Sequence, residues 1–289
     1  MAEPRGPRGR GRPRPPLPVS PEPLLRDRPQ RRGRKEPRVS VRYSIHEHIG
    51  EVVMDHPPVN AITVADTWKI RDCFAELSGN PEVRTVILTA IGRGFNAGID
   101  IKEMQSASGF EHLLGSGEAC YETFKQIYDC PVPVIAAVND FCMGLGVGLV
   151  GSCDVIVAST RARFGLPEVD NGALGCASHL ARLVPPMALR QMVLSCKPVS
   201  AEQLEAWGSV YKLVEPDSLM EEARELAREL AAKPPHVLRF AKRALNHIDP
   251  SNLHTNYRIE QGFTYQLNLM GEGDTARDAF VRGERAITR

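Results

Sequence analysis

Residues Val134–Gly175 read VIAAVNDFCMGLGVGLVGSCDVIVASTRARFGLPEVDNGALG. Val134–Val138 is a short apolar run of the kind that forms a buried strand. A turn at Asn139-Asp140 follows, and then Gly144, Gly146, Gly148 and Gly151 fall within eight residues. A second apolar strand is expected over Cys153–Ala158. Glycines packed so densely behind a strand let backbone approach a ligand, or let a helix pack closely on a sheet. A helix starting near Met143 would direct unpaired N–H groups over the strand end, which makes a place for an oxyanion. Twenty residues after Gly148, Phe164-Gly165-Leu166-Pro167-Glu168 puts a carboxylate in an apolar turn.

One rival reading is literal. Gly146-Val147-Gly148-Leu149-Val150-Gly151 matches G-x-G-x-x-G, and Asp170 lies downstream at about the spacing of a ribose-binding acid. That motif needs a crossover helix after its third glycine, and only Ser152 separates Gly151 from the next strand. A dinucleotide site does not fit.

Working outward, Val41–Ile45 and Glu51–His56 read as a hairpin around His46–Gly50. Pro57-Pro58-Val59-Asn60-Ala61 leads into an amphipathic helix over 64–77. Thr85–Ala90 is a strand, Gly92–Gly98 a loop, and helices are expected near Asp100 and over 108–129. Alternating strands and helices to residue 158 predict an α/β architecture with mostly parallel crossovers. Beyond Glu168 helical periodicity dominates, at 178–183, 187–194, 201–207, 217–232, 236–247, 256–269 and 275–286. Ser200-Ala201-Glu202-Gln203 is a capping-box pattern at one of these starts.

The chain has 289 residues, 42% of them hydrophobic, enough for one substantial core. Its formal charge of +1 is unevenly placed. Residues 1–38 carry twelve Lys/Arg against four Asp/Glu and ten of the 23 prolines. That composition predicts a disordered basic tail, read either as an interaction segment, a transit peptide or a translated upstream extension. The rest is mildly acidic, which gives no electrostatic case for nucleic acid. No apolar run is long enough for a membrane span. Seven cysteines without C-x-x-C spacing read as small core residues of a reducing, cytoplasmic setting. No histidine spacing suggests a metal site.

Two motifs carry a resemblance to a known family. Gly94-Phe95-Asn96-Ala97-Gly98-Ile99-Asp100-Ile101-Lys102-Glu103-Met104 and Pro133–Asp154, followed by Phe164-Gly165-Leu166-Pro167-Glu168, resemble the crotonase (enoyl-CoA hydratase/isomerase) superfamily. With the C-terminal part the likeness spans about 40–286, and it is nearest to actinobacterial members assigned to steroid-ring breakdown. It implies a spiral of ββα repeats over 39–199, and a helical C-terminal region over 200–289 that builds trimers or hexamers. It also implies a coenzyme A thioester as substrate, with no permanently bound cofactor.

Carried over residue by residue, the resemblance makes the N–H groups of Ile99 and Leu145 the oxyanion hole for a thioester enolate. Leu145 departs from the usual glycine there, which preserves the donor and reshapes the pocket. Glu168 is the expected proton-transfer group, because its apolar neighbours should raise its pKa. Water-adding members carry a second glutamate where this chain has Gly148. Asp170 is the nearest substitute, and a solvated turn residue is its competing reading. His179 is either catalytic or a structural histidine. Coenzyme A is expected to meet Val59, Asn60, Ala61, Ala97, Gly98 and Gly144, with Lys102 and Arg282 or Arg285 at its phosphates. Met104, Phe110 and Leu114 either line the acyl side or pack in the core.

The resemblance to steroid-degrading members implies hydrolytic C–C ring opening of a cyclic β-diketone acyl-CoA, the favoured reaction, in which another group would assist the lone Glu168. The enzymatic alternatives are a double-bond isomerase or an atypical hydratase of β-oxidation type. A non-catalytic CoA-binding scaffold is the alternative outside enzymology.

Overall fold

The computed structural model describes residues 40–106 and 110–284. The tail expected over 1–38 and the candidate phosphate ligand Arg285 lie outside them.

The chain opens on a hairpin of β1 (Val41–His46) and β2 (Ile49–Met54), turned through Glu47 and His48 at positive φ. Then come α1 (Val64–Gly79), β3 (Thr85–Ala90), α2 (Ile101–Ser106), α3 (Phe110–Tyr128) and β4 (Val134–Val138). The glycine-rich stretch supplies β5 (Cys142–Met143), α4 (Leu145–Gly151), β6 (Val155–Ser159) and β7 (Arg163–Gly165). Next are α5 (Ala177–Leu180), α6 (Pro186–Ser195), β8 (Val199–Ser200), α7 (Ala201–Ala206) and β9 (Lys212–Val214). Four helices finish the described chain: α8 (Leu219–Ala231), α9 (Pro235–Ile248), α10 (Leu253–Leu269) and α11 (Glu272–Val281).

The main sheet runs β1-β2-β3-β4-β6-β9, with every pairing after the hairpin parallel. A small second sheet, β5-β7-β8, stands beside it. Parallel strands need both faces covered, and β3 and β4 are apolar on both. Val86, Leu88, Val134, Ala136 and Val138 join the larger core. Ile87, Ile135 and Ala137 face the other way, onto Leu219, Ala223, Leu226 and Ala227 of α8. This is the expected mixed α/β architecture with a helical C-terminal region.

Two boundaries differ from the sequence reading, each for a local reason. The second strand starts at Val155 rather than Cys153, because the Ser152 and Cys153 N–H groups still donate to Gly148 (3.1 Å) and Val150 (3.0 Å). The glycine-rich helix starts at Leu145, because Met143 is held in extended form by donating to the Asn96 carbonyl (2.9 Å). The C-terminal half is also not purely helical, since β9 extends the main sheet. Capping by Ser200 is as expected: its Oγ accepts the Gln203 N–H at 3.3 Å.

Candidate active site

Asn60 and Asn96 brace the loop that carries one side of the site. Asn60 is 1% exposed and donates through Nδ2 to the carbonyls of Ile91 (3.0 Å) and Gly94 (2.8 Å). Asn96 donates through Nδ2 to the Asn60 carbonyl (2.7 Å), and its Oδ1 accepts the Gly98 N–H (2.8 Å). The loop before α2 is therefore rigid before any ligand arrives. Gly98, at φ +100°, turns the chain beside the start of α4, its Cα 3.7 Å from the position a Cβ on Gly144 would take, and Ile99 follows it, bridged to Ile62. Gly144, at φ +55°, caps that start. Among the described residues, no acceptor takes the N–H of either Ile99 or Leu145. Two unused backbone donors thus flank one space, as an oxyanion hole requires.

Glu168 closes that space. An added Cβ at Gly144 would lie 2.6 Å from Glu168 Oε1, so only glycine lets the carboxylate come so near the helix start. The residue as a whole is partly buried, but its Oε2 is shielded from solvent and has no hydrogen-bond partner. Burial pushes the Glu168 carboxyl up to about 8, with the charge of Glu260 adding to it. A carboxyl that titrates there can both take and return a proton near neutrality.

A cavity of about 180 Å³ joins these groups. Its sheet-side wall holds Ala97, Gly98, Ile99, Gly144, Leu145 and Glu168; its C-terminal wall holds Tyr257, Gln261, Thr264, Tyr265 and Arg277. Met104 lines it as expected, while Leu113 rather than Leu114 takes part. Leu114 is 42% exposed, and Phe110 packs edge-on against Tyr265 at 5.8 Å.

The missing second carboxylate has a physical counterpart. An added Cβ at Gly148 would lie 2.7 Å from both Cys176 Sγ and Phe124 Cε1, and closer still to Phe124 Cζ. Phe124 fills the space that a side chain at 148 would need.

The other expected site residues fall elsewhere. Asp170 is exposed in a 3-10 turn (Val169–Asn171), beside the Cys196 thiol, and does not line the cavity. His179 is 1% exposed and lies behind the cavity wall, against the rings of Phe124 (4.6 Å) and Tyr257 (5.1 Å). Burial, with the charge of Arg182, takes its pKa down to about 3, so it is a neutral core residue. Val59, Asn60 and Ala61 lie outside the cavity lining, and the Asn60 side chain is committed to bracing the loop. Lys102 is exposed. Arg282 is paired with Glu284 at 2.8 Å. Arg277 and Phe124, both in the cavity wall, carry no motif that marks them in the sequence. Among the described residues, no cluster of His, Cys, Asp or Glu could hold a metal ion, and no helix is long and apolar enough to cross a membrane.

The profile of the family described as enoyl-CoA hydratase/isomerase matches residues 44–282. A protein of Rhodococcus jostii named (7aS)-7a-methyl-1,5-dioxo-2,3,5,6,7,7a-hexahydro-1H-indene-carboxyl-CoA hydrolase is 51% identical over 233 residues, 81% of this chain and 90% of the relative. A protein of the same name from Mycobacterium tuberculosis is 51% identical over 231 residues, 80% of this chain and 94% of the relative. Among solved structures, an enoyl-CoA hydratase from Mycobacterium avium subsp. paratuberculosis superposes with a TM-score of 0.76, covering 85% of this chain and all of that one. At 23% identity, that likeness speaks for the fold alone.

Proposed function

The chain belongs to the enoyl-CoA hydratase/isomerase family, and from that premise we propose that it opens a carbon ring by hydrolysis. Its substrate in this reading is a cyclic β-diketone acyl-CoA, in which the ring carbon next to the attacked ketone can pass an electron pair to the thioester carbonyl; its two 51%-identical relatives are named for a bicyclic dione thioester. Coenzyme A arrives and leaves as part of the substrate.

The observation that carries the reading is a lone shielded carboxylate facing two unused N–H donors, with the second-carboxylate position filled by Phe124. Water adds to the ring ketone while Glu168 takes one of its protons. The bond from that carbon to its ring neighbour then breaks. Its electron pair runs into the thioester carbonyl, whose oxygen becomes an enolate between the N–H groups of Ile99 and Leu145. Such preorganised donors are worth roughly 3–4 kcal/mol apiece to a developing oxyanion. Glu168 returns its proton to carbon, and the former ketone leaves as a carboxylic acid on the opened ring.

Incubation with the bicyclic dione thioester should give a product heavier by one water that still carries coenzyme A, with one ¹⁸O from labelled water in a carboxylate. An unchanged mass with a shifted double bond would replace this reading with isomerisation. Efficient hydration of crotonyl-CoA would dismiss it.

The same proposal includes a trimer or hexamer. Val237, Phe240, Leu245 and Ile248 of α9 are each more than 60% exposed, a stripe that a second copy would cover. Seven buried free thiols suit a reducing compartment such as the cytoplasm.

A further inference from the structure

The two cavity walls differ in chemistry. The sheet-side wall provides for one oxygen, that of the thioester, through Ile99 and Leu145. The C-terminal wall contains a cation that this accounting leaves unused. Arg277, in the middle of α11, lines the cavity, and its side chain is only 14% exposed. Its Nη2 donates to Asn268 Oδ1 at 2.7 Å and also pairs with Asp274. Asn268 is itself fixed, since its Nδ2 donates to the Thr264 carbonyl at 2.8 Å. One edge of the guanidinium is therefore held. Nε, by contrast, is buried and donates to nothing among the described residues.

A buried, unsatisfied guanidinium N–H is costly, and native structures keep few such groups. Asp274 is 69% exposed, so it offsets the Arg277 charge from the solvent side rather than from the cavity. An oxygen anion that reaches Nε would gain a charge-assisted hydrogen bond from a donor that gives up none to water or protein. Because Nη2, which shares an edge with Nε, is already taken, Nε offers one charge-assisted hydrogen bond whose direction is fixed by those contacts.

We propose that Arg277 is a specificity-determining residue: it binds the far oxygen of the acyl group, the ring ketone that water attacks and the carboxylate it becomes. The identity of that oxygen rests on the ring-opening reading above; the preference for an anionic acyl end does not. Arg277 would then stabilise the negative charge on the hydrated ketone while Ile99 and Leu145 hold the enolate. The enzyme would select acyl-CoAs with an oxygen at the end away from the thioester.

The test is binding without turnover. Isothermal titration of the full chain with adipoyl-CoA and hexanoyl-CoA compares acyl groups of equal length with and without a terminal carboxylate. Wild type should prefer adipoyl-CoA roughly tenfold or more, the scale of one charge-assisted hydrogen bond. Arg277→Gln should abolish that preference and leave hexanoyl-CoA affinity unchanged, which also shows that the variant is folded. Arg277→Lys should keep part of it. No preference in wild type, or a preference that survives Arg277→Gln, overturns the proposal. If Arg277→Gln does not fold, the wild-type comparison and the lysine variant still decide. Absence of hydrolysis with the preference intact would instead sink the ring-opening reading alone.

Discussion

Substituting Gly148 by alanine adds one methyl group where there is no room. The added carbon would lie 2.7 Å from Cys176 Sγ and from Phe124 Cε1, far inside a normal carbon contact. Phe124 has little freedom to retreat. It is 3% exposed, with the His179 ring 4.6 Å away on one side and the Tyr257 ring 5.2 Å away on another. Overpacking a well-filled core costs about 1–3 kcal/mol. Two hard contacts in a clamped ring stack put Gly148→Ala at the upper end, about 2–3 kcal/mol. For a folded unit of this size that lowers Tm by about 4–12 °C, readable by calorimetry. Phe124→Leu alone should also destabilise, by roughly 1 kcal/mol. Combined, the two changes should be less harmful than their sum, because the smaller side chain makes room for the methyl group. An unchanged Tm for Gly148→Ala, or strict additivity in the double variant, would refute the idea that Phe124 occupies the second-carboxylate position. Gly148→Glu alone, on the same reasoning, should give an unstable protein rather than a hydratase.

The remaining predictions concern the carboxylates and the assembly. Glu168→Gln should lower kcat on the ring substrate by ~10²–10⁴-fold with little change in thioester affinity, since the Ile99 and Leu145 donors are backbone; full activity would remove the proposed base. As Glu168 must be ionised to accept a proton from water, kcat/KM should rise with pH through about 8, and an activity flat across that range contradicts the role. The folded protein binds this proton more tightly than the unfolded chain, so stability should fall as pH climbs from about 4.5 to about 8. Glutamine cannot ionise, so the Tm of Glu168→Gln relative to wild type should increase across that window; a constant offset would mean that the carboxyl is not buried. Asp170→Asn should leave kcat intact, and a large loss would bring that exposed side chain into the chemistry. Phe240→Asp with Leu245→Asp should reduce the light-scattering mass to that of one chain, if the α9 stripe is the interface.

Sequence alone shows the parts of the fold that depend on local pattern. β4 is legible because a strand buried on both faces is apolar at every position, β3 because only Thr85 and Thr89 interrupt the same pattern, and Ser200 because a cap is a four-residue relation. β5, β7 and β8 are not, as two or three residues become a strand only by pairing with each other. At the site, Glu168 is marked by Leu166 and Pro167 beside it, and the structure gives it the raised pKa those neighbours imply. His179 looks the same as a catalytic histidine in sequence. Only the two aromatic rings that enclose it, from α3 and α10, show otherwise. Arg277 is one of many C-terminal charges, and what distinguishes it is an unpaired Nε that no spacing rule encodes.

The C-terminal wall of the cavity also has a consequence in time. Synthesis runs from the N-terminus, and Glu168 is made about a hundred residues before Arg277. At ~5–20 residues per second, the growing chain spends roughly 5–20 s with its sheet-side wall complete and its other wall not yet made. During that interval the apolar surface of Leu113, Cys120 and Phe124, later covered by Tyr257 and its neighbours on α10, faces solvent. The Glu260 carboxylate, which later accepts the N–H groups of Ala177 and Ser178 at 2.8 and 2.7 Å, has also not yet been added to the start of α5. A nascent chain of this protein is therefore sticky before it is active, and its last helices act as the stopper that ends its exposure to chaperones and to its own unfinished copies.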